Sequence, residues 1–387
     1  MERKATAKKR ICCYCERWES GGIESFLFNM YSRLDPEKIE IDIAAAELRE
    51  SVFTDSLREK GVYFYELSGS QRNVPANHRL FRALLRRRHY DVLHLNAFHG
   101  LSLAYLKIAK ENGVPVRIAH SHNTALRGSV AKPLKLLLHN AARRRYAPCA
   151  TELWACSKAA AGFLFPKRLL AQKGFRFIPN GIDVERFRFD PEGRAAARKE
   201  LGIGGGTFLV GNVGRLCYQK NQIFLLDVFA ELVKKRPESR LLLVGEGEDK
   251  KRLQARCASL GIAEKVIFYG TTDHVERLLW AMDVFVFPSR FEGLSVAAVE
   301  AQAAGLPVLC AGTLAPETCL TNACRRLPLR SGAAAWAEAL CALPPLLQEE
   351  RGKAPETVRK AGFEIEDVSR TWKNLFALAA EEQGGSH

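Results

Sequence analysis

The stretch VFVFPSRFEGLSVAAVEAQAAGLPVLCAG, residues 284–312, reads in succession as strand, loop, helix and strand. Val284 to Phe287 and the later "LPVLCAG" are short, almost unbroken apolar runs, each stopped by Pro, Ser or Gly. Such runs joined by a helical segment signal parallel strands buried on both faces. Two residues do not fit plain packing. Glu292 sits in the turn and Glu300 inside the alanine-rich helix, where Ala or Val would cover the same face.

The same alternation extends in both directions. In the first half, strands are expected at 10–15, 39–46, 62–67, 91–96, 114–122, 152–157 and 176–182, with helical patterns such as "GIESFLFNMYSRLD" and "GLSLAYLKIAKENG" between them. After the charged stretch "DVERFRFDPEGRAAARKELGIGGG", the pattern restarts with "TFLVGNVG", "RLLLVG", "KVIFYG" and "VFVFPS". The expected fold class is α/β, two doubly wound Rossmann-like domains facing across a cleft. The expected boundaries are residues 1–182 for the first domain, 183–206 for a linker and 207–362 for the second domain. Residues 363–387 form a terminal helix able to pack back on the first domain.

Composition narrows the class. Of 387 residues, 47% are hydrophobic and 26% charged, as in a folded soluble protein. No stretch approaches the roughly 18 uninterrupted apolar residues of a spanning helix. The basic N-terminus "MERKATAKKRICCYCERWE" holds an apolar run of only five residues, too short for a signal peptide, so a cytoplasmic location is expected. The eleven cysteines are odd in number and sit mostly in apolar segments (Cys12, Cys13, Cys156, Cys310). Buried free thiols are therefore expected rather than a disulfide framework, a redox CxxC at Cys12 and Cys15, or a metal site. The net charge of +15 is asymmetric: residues 1–180 hold 31 Lys/Arg against 16 Asp/Glu, and the remainder hold 27 of each. An anionic partner is expected on the first half.

Parallel sheets bind ligands beyond the carboxyl ends of their strands, where glycine turns and helix N-termini expose backbone N–H groups. "SGGIESF" places Gly21 and Gly22 at such a turn, where phosphate binding and tight packing are both open readings. Arg215 and Lys220 in "GRLCYQKN" offer a forked and a point cation to phosphate oxygens, or form a solvated loop. His120 and His122 in "IAHSHNT" share one strand face. A metal is conceivable there, but no carboxylate lies nearby in sequence, so contact with a substrate hydroxyl is the preferred reading and Asn123 joins them as an acceptor-side candidate. Gly293, Leu294 and Ser295 supply N–H groups at a helix start, and Glu300, under two turns further on, can accept two hydrogen bonds from a vicinal diol such as a ribose.

"FEGLSVAAVEA", with seven residues between its glutamates, and the "GLPV" after it resemble the signature of the retaining glycosyltransferases of family 4, which have the GT-B fold. "SGGIES", "AHSHNT", "ACSKAAAGFLF", "FIPNGIDVERF", "VGRLCYQKN", "LLLVGEGE" and "VIFYGTTDHVERLLWAMDVFVFPS" follow in the family's order, so the resemblance covers roughly residues 10–380. "HSHNT" and "ACSKAA" look most like members that build bacterial capsular and exopolysaccharides.

The resemblance implies roles. Arg215 and Lys220 would clamp the diphosphate of a nucleotide-sugar donor, and Glu300 would hold its ribose. Glu292, with the backbone of Gly293 and Leu294 and with Ser295 beside them, would hold the donor sugar's hydroxyls. Tyr269 and Gly270 lie where the base is held, Gly22 where the first-domain loop closes on phosphate, and Asn180 and Gly181 at the interdomain crossing. His122 matches a histidine near the anomeric centre, with His120 the weaker candidate. Many members have Phe–Gly or Pro after the first glutamate where this chain has Gly293-Leu294-Ser295, which bears on sugar fit and not on reaction type.

The implied activity is retaining transfer of a hexose or N-acetylhexosamine from a UDP-linked donor to a lipid-linked oligosaccharide, with no cofactor and no metal. The rivals are a nucleotide-sugar 2-epimerase of the same fold and a basic nucleic-acid-binding protein. The motif order argues against the first. Against the second, "HRLFRALLRRRHY" (78–90) and "KPLKLLLHNAARRRY" (132–146) interleave Leu with Arg79, Arg82, Arg86, Arg87, Arg88, Lys132, Lys135, Arg143, Arg144 and Arg145 at helical spacing. That pattern suits an anionic membrane surface, a solvated face being the plainer reading, so no nucleic acid is expected and the protein is placed peripherally at the inner face of the bacterial membrane.

Overall fold

The computed structural model describes residues 8–19, 22–49, 51–126, 132–344 and 348–381. The chain divides into two compact units, residues 1–180 with 365–387, and residues 181–364.

The first unit is built on a seven-stranded parallel sheet. Its strands are β1 (Lys9–Trp18), β2 (Ile39–Leu48), β3 (Tyr63–Glu66), β4 (Val92–Ala97), β5 (Val116–Ser121), β6 (Glu152–Ala155) and β7 (Arg176–Phe177), in the order β3-β2-β1-β4-β5-β6-β7. The helices between them are α1 (Gly22–Tyr31), α2 (Thr54–Glu59), α3 (Val74–Arg88), α4 (Ala104–Glu111), α5 (Lys132–Tyr146), α6 (Lys158–Leu164) and α7 (Lys167–Lys173). β1 lies inside the sheet, between β2 and β4, and its Ile11 to Cys15 are apolar and buried on both faces.

The second unit has a six-stranded parallel sheet of β8 (Phe208–Val213), β9 (Ser239–Val244), β10 (Val266–Gly270), β11 (Val284–Phe287), β12 (Val308–Ala311) and β13 (Cys324–Leu327), in the order β10-β9-β8-β11-β12-β13. Its helices are α8 (Pro191–Glu200), α9 (Gln222–Lys235), α10 (Lys250–Ser259), α11 (Val275–Ala281), α12 (Val296–Ala303), α13 (Gly332–Cys341) and α14 (Gln348–Lys360). The opening stretch is thus the β11-α12-β12 unit. In β8, a Cβ on Gly211 would stand 1.9 Å from the Met282 sulfur, so only glycine lets that segment approach the strand. β13 has no counterpart among the expected strands. It is an edge strand with two exposed arginines, so it lacks the apolar run that marks the others.

Residues 183–206, expected as a linker, belong to the second unit. Arg194 and Arg198 of α8 reach Asp283 at 2.6 and 3.3 Å, and Arg198 also donates to the Gly204 and Thr207 carbonyls at 2.7 and 2.6 Å. Much of that stretch's charge is spent within the unit, on the Asp283 carboxylate and backbone carbonyls. The terminal helix α15 (Ile365–Glu381) groups with the first unit. Its Trp372 is wholly buried among Phe26, Tyr31, His94, His120 and Trp154.

Two of the arginines read as facing a membrane are engaged in packing. Arg88 bonds Asp42 at 3.0 Å and pairs with Glu40, while Arg143 donates to the carbonyls of Gly162, Phe163 and Phe165. Arg79, Arg86, Arg87, Lys135, Arg144 and Arg145 are exposed. So are Leu134, Leu136, Leu137 and Leu138 on α5, at 44–65%. Among the described residues, no helix is long and apolar enough to cross a membrane.

Candidate active site

In the second unit the strand order reverses between β8 and β11, and the loops leaving their carboxyl ends are the ones that carry the candidates. The loop after β8 turns through Gly214 and ends at Asn221, which holds the left-handed conformation (φ 58°) before α9. The loop after β11 runs from Pro288 to Ser295, whose hydroxyl caps α12 by accepting from the Ala298 N–H at 3.3 Å.

The two loops are laced together. The Gln219 amide donates to the Phe291 carbonyl at 3.0 Å, the Arg290 N–H to the Gln219 carbonyl at 2.8 Å and the Asn221 amide to the Pro288 carbonyl at 3.1 Å. At their centre Lys220 Nζ meets Glu292 Oε1 at 2.8 Å and lies 4.8 Å from the Phe287 ring. Their side chains are 19% and 9% exposed. Lysine has three N–H donors, and this pair uses one. Gly293, Leu294 and Ser295 are buried beside the pair at the start of α12.

The other candidates of this unit stand around that centre. Arg215 Nε pairs with Glu248 at 3.2 Å, both about half exposed. The β9 end packs against the Arg215 loop only because it is glycine: a Cβ on Gly245 would stand 2.3 Å from the Gly214 carbonyl oxygen. The Gly245 N–H donates to the Gly270 carbonyl at 2.7 Å, which ties the end of β10, with Tyr269, to the same rim.

Glu300, partly buried on α12, has its carboxyl pushed up to about 7 by desolvation, with Arg186 pulling the value down and Glu276 raising it. Arg186 is itself locked to Glu276 at 2.9 Å, and His274 Nδ1 lies 3.2 Å from the other Glu276 oxygen. Arg186, Glu276 and His274 were not singled out from sequence, and neither were Gln219 or Asn221. The motif "NGIDVERF" contained Arg186, but its partner lies 90 residues away.

In the first unit Gly22 is the first residue of α1, while Gly21 lies outside the described residues. His120 and His122 do share a face, with ring centroids 4.0 Å apart. His120 is a core residue, bonded through Nδ1 to His94 Nε2 at 3.1 Å, and His94 Nδ1 meets the Tyr31 hydroxyl at 2.8 Å. Burial holds His94 and His120 neutral, and pushes His122 down to about 3.

His122 Nε2 lies 2.8 Å from Asn96 Oδ1, and the Asn96 amide nitrogen donates to the Tyr14 carbonyl at 3.3 Å. With Asn96 oriented by that bond, Oδ1 is an acceptor, so the His122 proton resides on Nε2. Nδ1 is then a lone-pair acceptor, buried and unpartnered among the described residues. Asn123, beyond the strand end, is partly exposed. Tyr31, His94 and Asn96 complete a set that sequence reading did not find.

Residues 20–186 match the model of Glycosyltransferase Family 4, and residues 193–340 match that of Glycosyl transferases group 1. The chain belongs to the family 4 glycosyltransferases. The glycosyltransferase is 28% identical over 384 residues to a protein assigned as the glycosyltransferase EpsF in Bacillus subtilis (strain 168), covering 97% of this chain and 98% of that one. It is 27% identical over 229 residues to the UDP-Gal:alpha-D-GlcNAc-diphosphoundecaprenol alpha-1,3-galactosyltransferase of Escherichia coli, covering 58% and 59%. The fold matches Anabaena HepE, solved with UDP-glucose, at a TM-score of 0.73 and 18% identity, over 95% of this chain and 99% of that one. The glycosyltransferase has the α/β GT-B fold class expected from its motifs.

Proposed function

We propose that this glycosyltransferase moves a hexose or N-acetylhexosamine from a UDP-linked donor to a lipid-linked oligosaccharide, with retention, during surface polysaccharide synthesis. The observation that carries the reading is the β8/β11 switch point, where Lys220, Glu292 and the capped start of α12 converge. In this reading Arg215 and Lys220 hold the diphosphate, Glu300 the ribose, Tyr269 and Gly270 the base, and Glu292 with residues 293–295 the sugar hydroxyls. His122 Nδ1 accepts from a sugar hydroxyl. The E. coli relative's UDP-Gal donor and diphosphoundecaprenol acceptor, and the UDP-glucose of HepE, support the donor and acceptor class.

The chemistry is front-face substitution. The anomeric C–O bond to phosphate breaks, the bond to the acceptor oxygen forms on the same face, and the acceptor proton passes to a phosphate oxygen. Positive charge from Arg215, Lys220 and the α12 N-terminus stabilises the leaving diphosphate, so no divalent ion is needed for that role. The exposed leucines of α5 beside Lys135, Arg144 and Arg145 suit docking to an anionic leaflet where a lipid-linked acceptor emerges.

The test is a panel of UDP-, GDP- and dTDP-sugars, read by thermal shift and slow hydrolysis, followed by NMR of the product anomer and by assay in excess EDTA. A UDP-sugar response, a retained anomer and EDTA-resistant turnover are expected. Epimerised donor without transfer, an inverted product, or loss of turnover in EDTA restored by magnesium or manganese would each overturn the corresponding part.

A further inference from the structure

The second unit gathers three cysteines that lie outside the candidate active site. Cys310 is buried in β12, Cys324 begins the edge strand β13, and Cys319 precedes it in the connecting loop. Their sulfurs lie within 4.8 Å of one another, Cys319 and Cys324 at 2.7 Å and Cys310 and Cys324 at 4.0 Å. All eleven cysteines are free thiols, as expected, but Cys319 and Cys324 are only partly buried, and β12 with the turn into β13 brings three of the sulfurs together.

We propose that Cys319 and Cys324 are a reversible thiol–disulfide site for low-molecular-weight disulfides. Two thiolates on a zinc ion at about 2.3 Å would stand roughly 3.8 Å apart, whereas a disulfide needs about 2.05 Å. The Cys319–Cys324 separation lies between these and nearer the second. Both residues are partly exposed, whereas Cys310 is sealed in the sheet. The Cys324 thiol donates to Cys319, and thiol hydrogen bonds from Cys310 and Cys324, with the Arg326 cation, favour the Cys319 thiolate.

Cys319 is then the attacking sulfur. Its thiolate attacks one sulfur of a glutathione-type disulfide and expels the first glutathione thiolate, which takes the Cys324 proton. The Cys324 thiolate next attacks the Cys319 sulfur and expels the second glutathione. Two protein thiols and one external disulfide become one protein disulfide and two glutathione thiols. The ring closes residues 320–323, whose Leu320 and Thr321 N–H groups are held by Gln302 Oε1 at 2.8 and 3.0 Å. Gln302 belongs to α12, the helix that carries Glu300, so the site is mechanically joined to that helix.

The test is equilibration of the whole protein with oxidised glutathione, then thiol titration and peptide mapping, with dithiothreitol reversal and metal analysis of the protein as purified. The expected result is loss of two of the eleven thiols, a Cys319–Cys324 cross-linked peptide, and full recovery on reduction. Cys310→Ser should keep the cross-link, and Cys319→Ser and Cys324→Ser should each lose it. Mapping of the unmutated chain reads the result even if a variant fails to fold. No cross-link at any glutathione ratio, a glutathione adduct that persists at Cys319, or stoichiometric zinc lost in Cys319→Ser would overturn the proposal.

Discussion

At the scale of single residues, Glu300 and Lys220 make different demands on the fold. Desolvation raises the Glu300 carboxyl in the folded chain from an ordinary 4.5 to about 7. The folded form holds the proton more tightly, so this group's stabilisation is complete below about pH 4.5 and is lost as pH rises through about 7. Ionisation at pH 8 then costs up to about 3 kcal/mol of stability, and Glu300→Gln should remove that cost. Urea unfolding at pH 4.5 and pH 8 checks it: the variant should be the more stable only at the higher pH. The ribose role needs the carboxylate, so the same variant should weaken donor binding by about 1.5–3 kcal/mol, or about 10- to 150-fold, at pH 8. Calorimetry showing unchanged affinity would remove Glu300 from the donor site.

Lys220 looks like a pure ligand residue in sequence. The ion pair with Glu292 gives it a structural duty as well. Lys220→Ala should therefore cost about 2–4 kcal/mol of stability, somewhat below the range for a fully buried pair, in addition to donor use. Chemical denaturation of Lys220→Ala, Glu292→Ala and the double variant tests this. The double variant should be more stable than the sum of the two singles implies, and additivity would show the pair to be uncoupled.

Among the elements, α5 presents Leu134, Leu136, Leu137 and Leu138 to solvent along with Lys135, Arg144 and Arg145. Its Arg143 is spent on carbonyls, as Arg88 of α3 is on Asp42 and Glu40. Substituting those two tests packing, not membrane binding. Membrane attachment predicts that Lys135, Arg144 and Arg145→Ala together reduce co-sedimentation with phosphatidylglycerol vesicles at low salt. Each basic residue near such a surface contributes about 1 kcal/mol, giving a loss on the order of 10²-fold. Leu134 and Leu137→Ser should reduce it at high salt too, since apolar insertion is not screened. Equal binding to neutral vesicles would leave α5 as a solvated face.

Across the whole molecule, the first unit is completed by a helix from the far end of the chain. Trp372→Ala should destabilise that unit by about 3–5 kcal/mol, because it empties a site enclosed by five aromatic or histidine rings. Hydrogen exchange read peptide by peptide should show protection lost in β1, β4 and α1 and kept in β8 to β12. A uniform loss would mean the two units unfold as one.

The alternation of strands and helices, the two-domain plan and the family were legible in the sequence. Strands buried on both faces must be nearly continuous apolar runs, and strand-end glycines mark where backbone must approach closely. Lys220, Glu292, Ser295, Glu300 and His122 could be singled out as candidates from their motifs. Their partners could not. Lys220 and Glu292 are 72 residues apart, and the switch-point strands that bring them together are adjacent only through long-range pairing. The same is true of Glu276 beside Glu300, of Asp283 beneath the arginines of α8, and of Asn96, which decides where the His122 proton resides. Local pattern determined which elements form, because burial and backbone geometry act within a few residues. Tertiary structure alone decided which charges are spent on packing, because hydrogen bonds and ion pairs join whatever the sheet order places side by side.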